Sequence, residues 1–184
     1  MAWFRKTQKA EPLPVTMAGV KLGDRFLAVG VRDPALIAVL AARAGLTGTA
    51  CAVDADEAAV IKAAAAIERD GVLAEVARAP WGMWPYNADS FDVALIRDLL
   101  PTLTSDSRWR CVSDVLRVLR PGGRAIVIEP APRGGFGALL NRQAVDPDYP
   151  GAVKTLKDGG FAAVRKLAER DGVLYVEGIK KAGC

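Results

Sequence analysis

Short apolar runs alternate along this chain with longer, alanine-rich segments, and that alternation restricts the chain to few architectures. Arg25-Phe26-Leu27-Ala28-Val29-Gly30 follows Gly23-Asp24 and suits a buried strand. Asp33-Pro34 then opens a helix, because Asp33 can accept from free N–H groups and Pro34 at the first helical position gives up no bond. Leu36, Ile37, Leu40 and Ala44 keep helical spacing up to Gly45. The unit repeats: Gly48 to Val53 reads as a strand ending at Asp54, and Asp56-Glu57 open a helix through about Arg69. Gly71 to Val76 is the third strand candidate and Ser90 to Ile96 the fourth. A helix over 105–120 carries Val112, Val115, Leu116 and Leu119 and stops at Arg120-Pro121-Gly122-Gly123, before a fifth strand at Ala125 to Ile128.

Strand and helix in strict alternation predict an α/β fold, a three-layer, doubly wound and mostly parallel sheet. The tail breaks the pattern. After a helix over 149–157, Phe161 to Glu169 and Val173 to Lys180 are strand-like and joined by Arg170-Asp171-Gly172. An Asp-Gly turn between such runs is a hairpin signal, which makes seven strands with an antiparallel C-terminal hairpin. At 184 residues there is room for one domain, and 51% apolar residues are enough to build its core, which excludes a disordered chain. Residues 1–20, broken by Pro12 and Pro14, read as a flexible arm; 21–182 read as the domain.

The absence of histidine removes the usual general base and the commonest metal ligand, so Ser-His-Asp, Cys-His and His-metal chemistries are excluded. Cys51, Cys111 and Cys184 are widely spaced, which indicates reduced thiols and no metal site. A net charge of +4 is too small to argue for nucleic acid. Trp3, Phe4, Arg5, Lys6 and Lys9 form an aromatic-basic arm that gives only marginal membrane anchoring. With no apolar leader segment and no spanning run, a cytoplasmic protein is expected.

Particular residues carry a family likeness over about 19–181. Gly19-Val20-Lys21-Leu22-Gly23-Asp24-Arg25-Phe26-Leu27, Ala52-Val53-Asp54-Ala55-Asp56, Asp89-Ser90-Phe91-Asp92-Val93-Ala94-Leu95-Ile96 and, most specifically, Leu116-Arg117-Val118-Leu119-Arg120-Pro121-Gly122-Gly123-Arg124 resemble class I S-adenosylmethionine-dependent methyltransferases. The likeness is nearest the type 11 group, which includes the C-methyltransferases of quinone biosynthesis. It implies a Rossmann-like fold, S-adenosylmethionine as cofactor and an acceptor that the sequence does not specify.

The same likeness assigns cofactor-binding roles to Gly30, Arg32, Asp54, Ala55, Pro80, Trp81 and Arg97. In the family, alternate glycines follow an acidic residue after the first strand; here Gly30 alone survives, Ala28 stands at the acid, and Arg32 and Pro34 replace later glycines. The third-strand acid is also missing, since none lies between Val76 and Asn87. Asp54 stands where the family holds the ribose hydroxyls; its other reading is a helix cap, a place for which Asp56 is better positioned. Arg32 and Asp33 are expected to fill part of the place of the cofactor's amino-acid moiety, with Arg32 pointing to solvent as the other reading.

Methyl transfer needs an aligned acceptor more than a strong base. If a base acts, Asp98 in the Arg97-Asp98 pair is the candidate catalytic residue, against a surface ion pair or cap. Trp81, Trp84, Tyr86 and Trp109 are candidates for an apolar pocket or for packing, and Glu129-Pro130 for a pocket wall. Relative to the family, the short N-terminus and the connection starting at Pro130-Ala131-Pro132-Arg133 imply an open site. Such a site takes either a large acceptor or a protein partner or second copy as cover. The competing reading is a non-catalytic binding or scaffold protein on the same fold. A nicotinamide-dependent dehydrogenase is disfavoured, because GxGxxG is absent.

Overall fold

A computed structural model describes residues 11–131 and 145–182. Seven strands form one sheet: β1 (Arg25–Val29), β2 (Thr49–Asp54), β3 (Glu75–Arg78), β4 (Phe91–Arg97), β5 (Leu119–Pro130), β6 (Ala162–Arg170) and β7 (Val173–Ile179). Their spatial order is β3-β2-β1-β4-β5-β7-β6. The first five run parallel, and β7 lies antiparallel between β5 and β6. The helices are α1 (Leu13–Ala18), α2 (Pro34–Ala44), α3 (Glu57–Arg69), α4 (Ser105–Val118) and α5 (Ala152–Asp158).

Strand periodicity divides the apolar residues between two cores. On β1, Phe26 and Ala28 join Leu36, Ile37 and Leu40 of α2, whereas Leu27 and Val29 join Val112 and Val115 of α4 on the other face. Burial on both faces is why these runs are continuously apolar rather than alternating. The expected caps are formed. Asp33 accepts from the Leu36 N–H at 3.0 Å, and Asp56 from Ala58 and Ala59 at 2.9 and 3.2 Å.

The third strand starts later than its apolar run suggests. Gly71 turns with φ +69 and Val72 N–H returns to Ile67 O, so this stretch closes α3, and pairing with β2 begins only at Glu75. At the opposite boundary α4 ends at Val118, and Arg120-Pro121-Gly122-Gly123 is the start of β5 rather than a loop. Gly123 makes this possible: a Cβ there would lie 2.8 Å from Arg120 O and 3.2 Å from both Asp92 O and Phe91 O. The last helix starts at Ala152, after Pro150-Gly151, three residues later than expected. In the terminal hairpin, Asp171 and Gly172 have φ +53 and +75, the two left-handed residues of a type I′ turn.

The expected arm over 1–20 differs at its inner end. Residues 13–18 are helix α1, with Val15 and Ala18 buried and the Ala18 and Gly19 carbonyls accepting from Arg124 at 3.1 and 3.2 Å. Trp3 to Lys9 and the segment over 132–144 lie outside the described residues. Cys51 and Cys111 are buried free thiols. No helix among the described residues is long and apolar enough to cross a membrane.

Candidate functional site

Strand order reverses between β1 and β4, and open parallel sheets bind ligands beyond the carboxyl ends of the strands at such a point. Gly30 ends β1 with φ +84, its N–H donating to Val53 O at 2.8 Å, and a Cβ there would stand 3.3 Å from Leu99 Cδ2. Glycine therefore permits both the turn and the close approach of the loop after β4.

Asp54, the last residue of β2, is buried. Its Oδ2 accepts the Val31 N–H at 3.1 Å and its Oδ1 the Asp56 N–H at 3.0 Å. The helix cap is Asp56, so Asp54 is free of that duty. It holds the loops after β1 and β2 together, and each carboxylate oxygen keeps a further acceptor site.

Asp54, Ala55 and Asp56 line one side of a cavity of about 400 Å³, with Trp81, Leu99 and Leu103 as apolar walls and Arg32 and Thr102 at another side. That is within the range of small-molecule sites, roughly 300–1,000 Å³. Arg32 reaches across the loops: its Nη2 donates to Thr102 Oγ1 at 3.0 Å, and the Thr102 hydroxyl donates to Leu99 O at 2.8 Å. Beyond Arg32 the space narrows to a crevice of about 10 Å³ bounded by Ala28, Gly30, Asp33, Leu95 and Arg97. Arg97 Nη1 pairs with Asp33 Oδ2 at 2.8 Å, and Arg97 Nε lies 3.4 Å from Asp98 Oδ2.

Arg32, Asp54, Ala55 and Trp81 thus meet at one cavity, while Gly30 and Arg97 border the crevice. Pro80 and Asp98 line neither. Asp98 has φ +50 and faces Arg97. Thr102, Leu99 and Leu103 had no motif to mark them; the Leu-Leu-Pro-Thr-Leu stretch after β4 was their only signal, and the 3-10 turn over Leu100–Thr102 brings them to the cavity. Of the other aromatic candidates, Trp84 is core, edge-on to Trp81 at 6.2 Å between ring centroids, and Tyr86 packs on Phe91. Trp109 is exposed on α4.

Glu129, at the end of β5, is buried and accepts from the Tyr149 hydroxyl at 2.5 Å and the Ala152 N–H at 3.1 Å. Burial pushes its carboxyl above the ordinary range, against the pull of those two donors. It anchors the segment entering α5. No group of three or more His, Cys, Asp or Glu side chains that could hold a metal occurs among the described residues.

A family model described as a methyltransferase domain matches residues 27–127, which runs from β1 through the Asp54 cavity to β5. The chain belongs to the methyltransferase-domain family. No curated protein matches the sequence. A methyltransferase structure from Aquifex aeolicus, described as S-adenosylmethionine-dependent, is 18% identical, covers 91% of this chain and 87% of its own, and superposes with a TM-score of 0.75. One from Methanosarcina mazei is also 18% identical, with 94% and 100% covered and a TM-score of 0.67. A structure described as a complex between the Haloferax volcanii Trm112 methyltransferase activator and a candidate methyltransferase is 15% identical, with 92% and 88% covered and a TM-score of 0.68. At these identities the likeness establishes the fold, a class I methyltransferase sheet with its C-terminal hairpin.

The cofactor of this family is S-adenosylmethionine. The donor set of this methyltransferase domain fits the nucleoside half: a buried carboxylate with spare acceptor sites suits a vicinal diol, and the apolar side chains of Trp81, Leu99 and Leu103 suit a base. The crevice on the other side of Arg32 keeps Gly30 in its lining but also carries the charged side chains of Asp33 and Arg97.

Proposed function

We propose that the chain is an S-adenosylmethionine-dependent methyltransferase whose nucleoside site is the cavity at Asp54. The observation that carries the reading is the buried Asp54 carboxylate, fixed by the Val31 and Asp56 N–H groups and open to the cavity. In this reading Asp54 holds the ribose hydroxyls, Gly30 lets the backbone come close, and Trp81, Leu99 and Leu103 give the base apolar contact. The bound cofactor supplies an electrophilic methyl group. The chain supplies alignment, and if the acceptor must lose a proton, Asp98, the residue after β4 and the partner of Arg97, is the candidate carboxylate. The acceptor approaches over the carboxyl ends of β4 and β5, and a partner protein or second copy covers the open cavity. The protein acts in the cytoplasm.

A second reading, a binding or scaffold protein without catalysis, is favoured by one observation, the Asp33–Arg97 bridge at the strand-order reversal. Thermal melting against S-adenosylhomocysteine separates the two, because a ligand bound by the native state raises the melting temperature by mass action. The enzyme reading expects a concentration-dependent rise in the wild type that Asp54→Ala removes. No rise at millimolar ligand overturns it.

A further inference from the structure

Arg32 divides the site into unequal parts. On one side lies the cavity of about 400 Å³ with Asp54 and Trp81, and on the other a crevice of about 10 Å³ between β1, β4 and the start of α2, where Leu36 and Ile37 also line it. The larger part has the size of a small-molecule site, while the smaller holds about one water. What fills the crevice is the chain itself. Asp33 keeps Oδ1 on the Leu36 N–H as the cap of α2 and gives Oδ2 to Arg97, whose stem comes from the last residue of β4.

Resting on the reading that the cavity is a nucleoside site, we propose that the Asp33–Arg97 bridge sets ligand length, so that the protein prefers a 5′-thioadenosine nucleoside without an amino-acid arm. The bridge ties the β1–α2 loop to β4 across the strand-order reversal. A ligand held by its ribose on Asp54 and extended toward that reversal must displace Arg32 from Thr102 and part Asp33 from Arg97. A zwitterionic arm brings an ammonium and a carboxylate to a place where one carboxylate and one guanidinium already satisfy each other. It gains little from either, because each new contact replaces an existing one. A ligand that ends at the 5′-sulfur stays within the larger part and leaves both contacts intact. The two partners are about one-third exposed, 31% and 32%, so the bridge discriminates without forming an absolute barrier.

Calorimetric titration of the full chain with 5′-methylthioadenosine and with S-adenosylhomocysteine tests this directly. The two probes share the nucleoside and sulfur and differ in the amino-acid arm. The wild type is expected to bind methylthioadenosine at least as tightly as S-adenosylhomocysteine. Asp33→Asn keeps an oxygen for the helix cap while removing the charge, and Arg97→Met keeps the aliphatic stem. In each, S-adenosylhomocysteine affinity is expected to rise by about fivefold, the scale of an ion pair about one-third exposed. Methylthioadenosine affinity is expected to change less than about twofold. Melting curves of both variants confirm that they fold. A wild type that prefers S-adenosylhomocysteine overturns the length proposal and leaves the nucleoside site standing. Binding of neither probe, in the wild type or either variant, overturns both.

Discussion

The Asp54 carboxylate at the end of β2 accepts the backbone N–H of Val31, 3.1 Å away in the loop after β1. Through this bond the loops after β1 and β2 keep a fixed relation while the cavity stays open. Asp54→Ala leaves the Val31 and Asp56 N–H groups without their acceptors, for a loss of about 1–3 kcal/mol in stability. Denaturant unfolding reads that loss. The same variant is expected to lose nucleoside binding altogether, whereas Asp56→Ala, which removes the cap of α3, is expected to lower stability by about 1 kcal/mol.

Gly123 is held between three carbonyl oxygens, at 2.8 and twice 3.2 Å from where a Cβ would sit. Backbone on every side cannot yield as a flexible side chain would. Gly123→Ala is expected to destabilise the fold by about 2 kcal/mol or more, by spreading β4 from β5. The exposed turn glycine Gly71, with nothing within 4 Å of its Cβ position, provides the contrast. There alanine meets only the strain of φ +69, about 1 kcal/mol.

Arg124 spans two structures: it pairs with the buried Glu177 at 3.1 Å and donates to the carbonyls of Ala18 and Gly19. Arg165 is the second cation on Glu177. Arg124→Ala leaves a buried carboxylate with one partner and α1 without its anchor, for an expected loss of about 2–3 kcal/mol. Limited proteolysis is expected to cut near α1 in the variant before the rest of the chain is attacked.

Glu129 gives the fold a pH dependence. Burial raises its carboxyl above the ordinary value of 4.5, with nearby Asp98 adding to the rise, although Tyr149 and Ala152 pull it down. An acid whose folded-state pKa lies above its unfolded value binds more protons when folded, so its contribution to stability declines as pH rises through that window. Wild-type stability relative to Glu129→Gln is therefore expected to fall as pH rises above about 4.5, and to level off once the folded carboxyl is ionised. Chemical denaturation across that range measures it. A difference that grows in the wild type's favour with pH contradicts this account.

Strand and helix order was legible because both faces of the sheet are covered, which leaves continuous apolar runs such as Phe26 to Val29 between helix caps such as Asp33 and Asp56. Boundaries were less legible where backbone geometry overrides side-chain pattern. Gly71 to Ala74 look apolar enough for a strand but follow α3 as its closing turn, and Arg120 to Gly123 look like a loop but lie within β5 as an irregular stretch between the Leu119 and Arg124 pairings, with Gly122 and Gly123 bonded to Lys180. The strand-end positions of Asp54 and Gly30 could be read because each closes or follows an apolar run directly. Thr102, Leu99 and Leu103 could not, since a 3-10 turn carries them to the cavity without any periodic signal. The expectation that Arg32 and Asp33 fill space at the strand ends lacked its partner: Arg97 closes the bridge from β4, a contact across 64 residues that no local pattern encodes.

A crystal structure of the full chain grown with 5′-methylthioadenosine would show whether the cavity at Asp54 is a nucleoside site within a methyltransferase domain. The expected structure has the base between Trp81 and Leu99, both ribose hydroxyls on the Asp54 carboxylate, and the Asp33–Arg97 bridge intact. Nucleoside bound elsewhere, or the Asp54 cavity filled by a neighbouring side chain at saturating ligand, contradicts it.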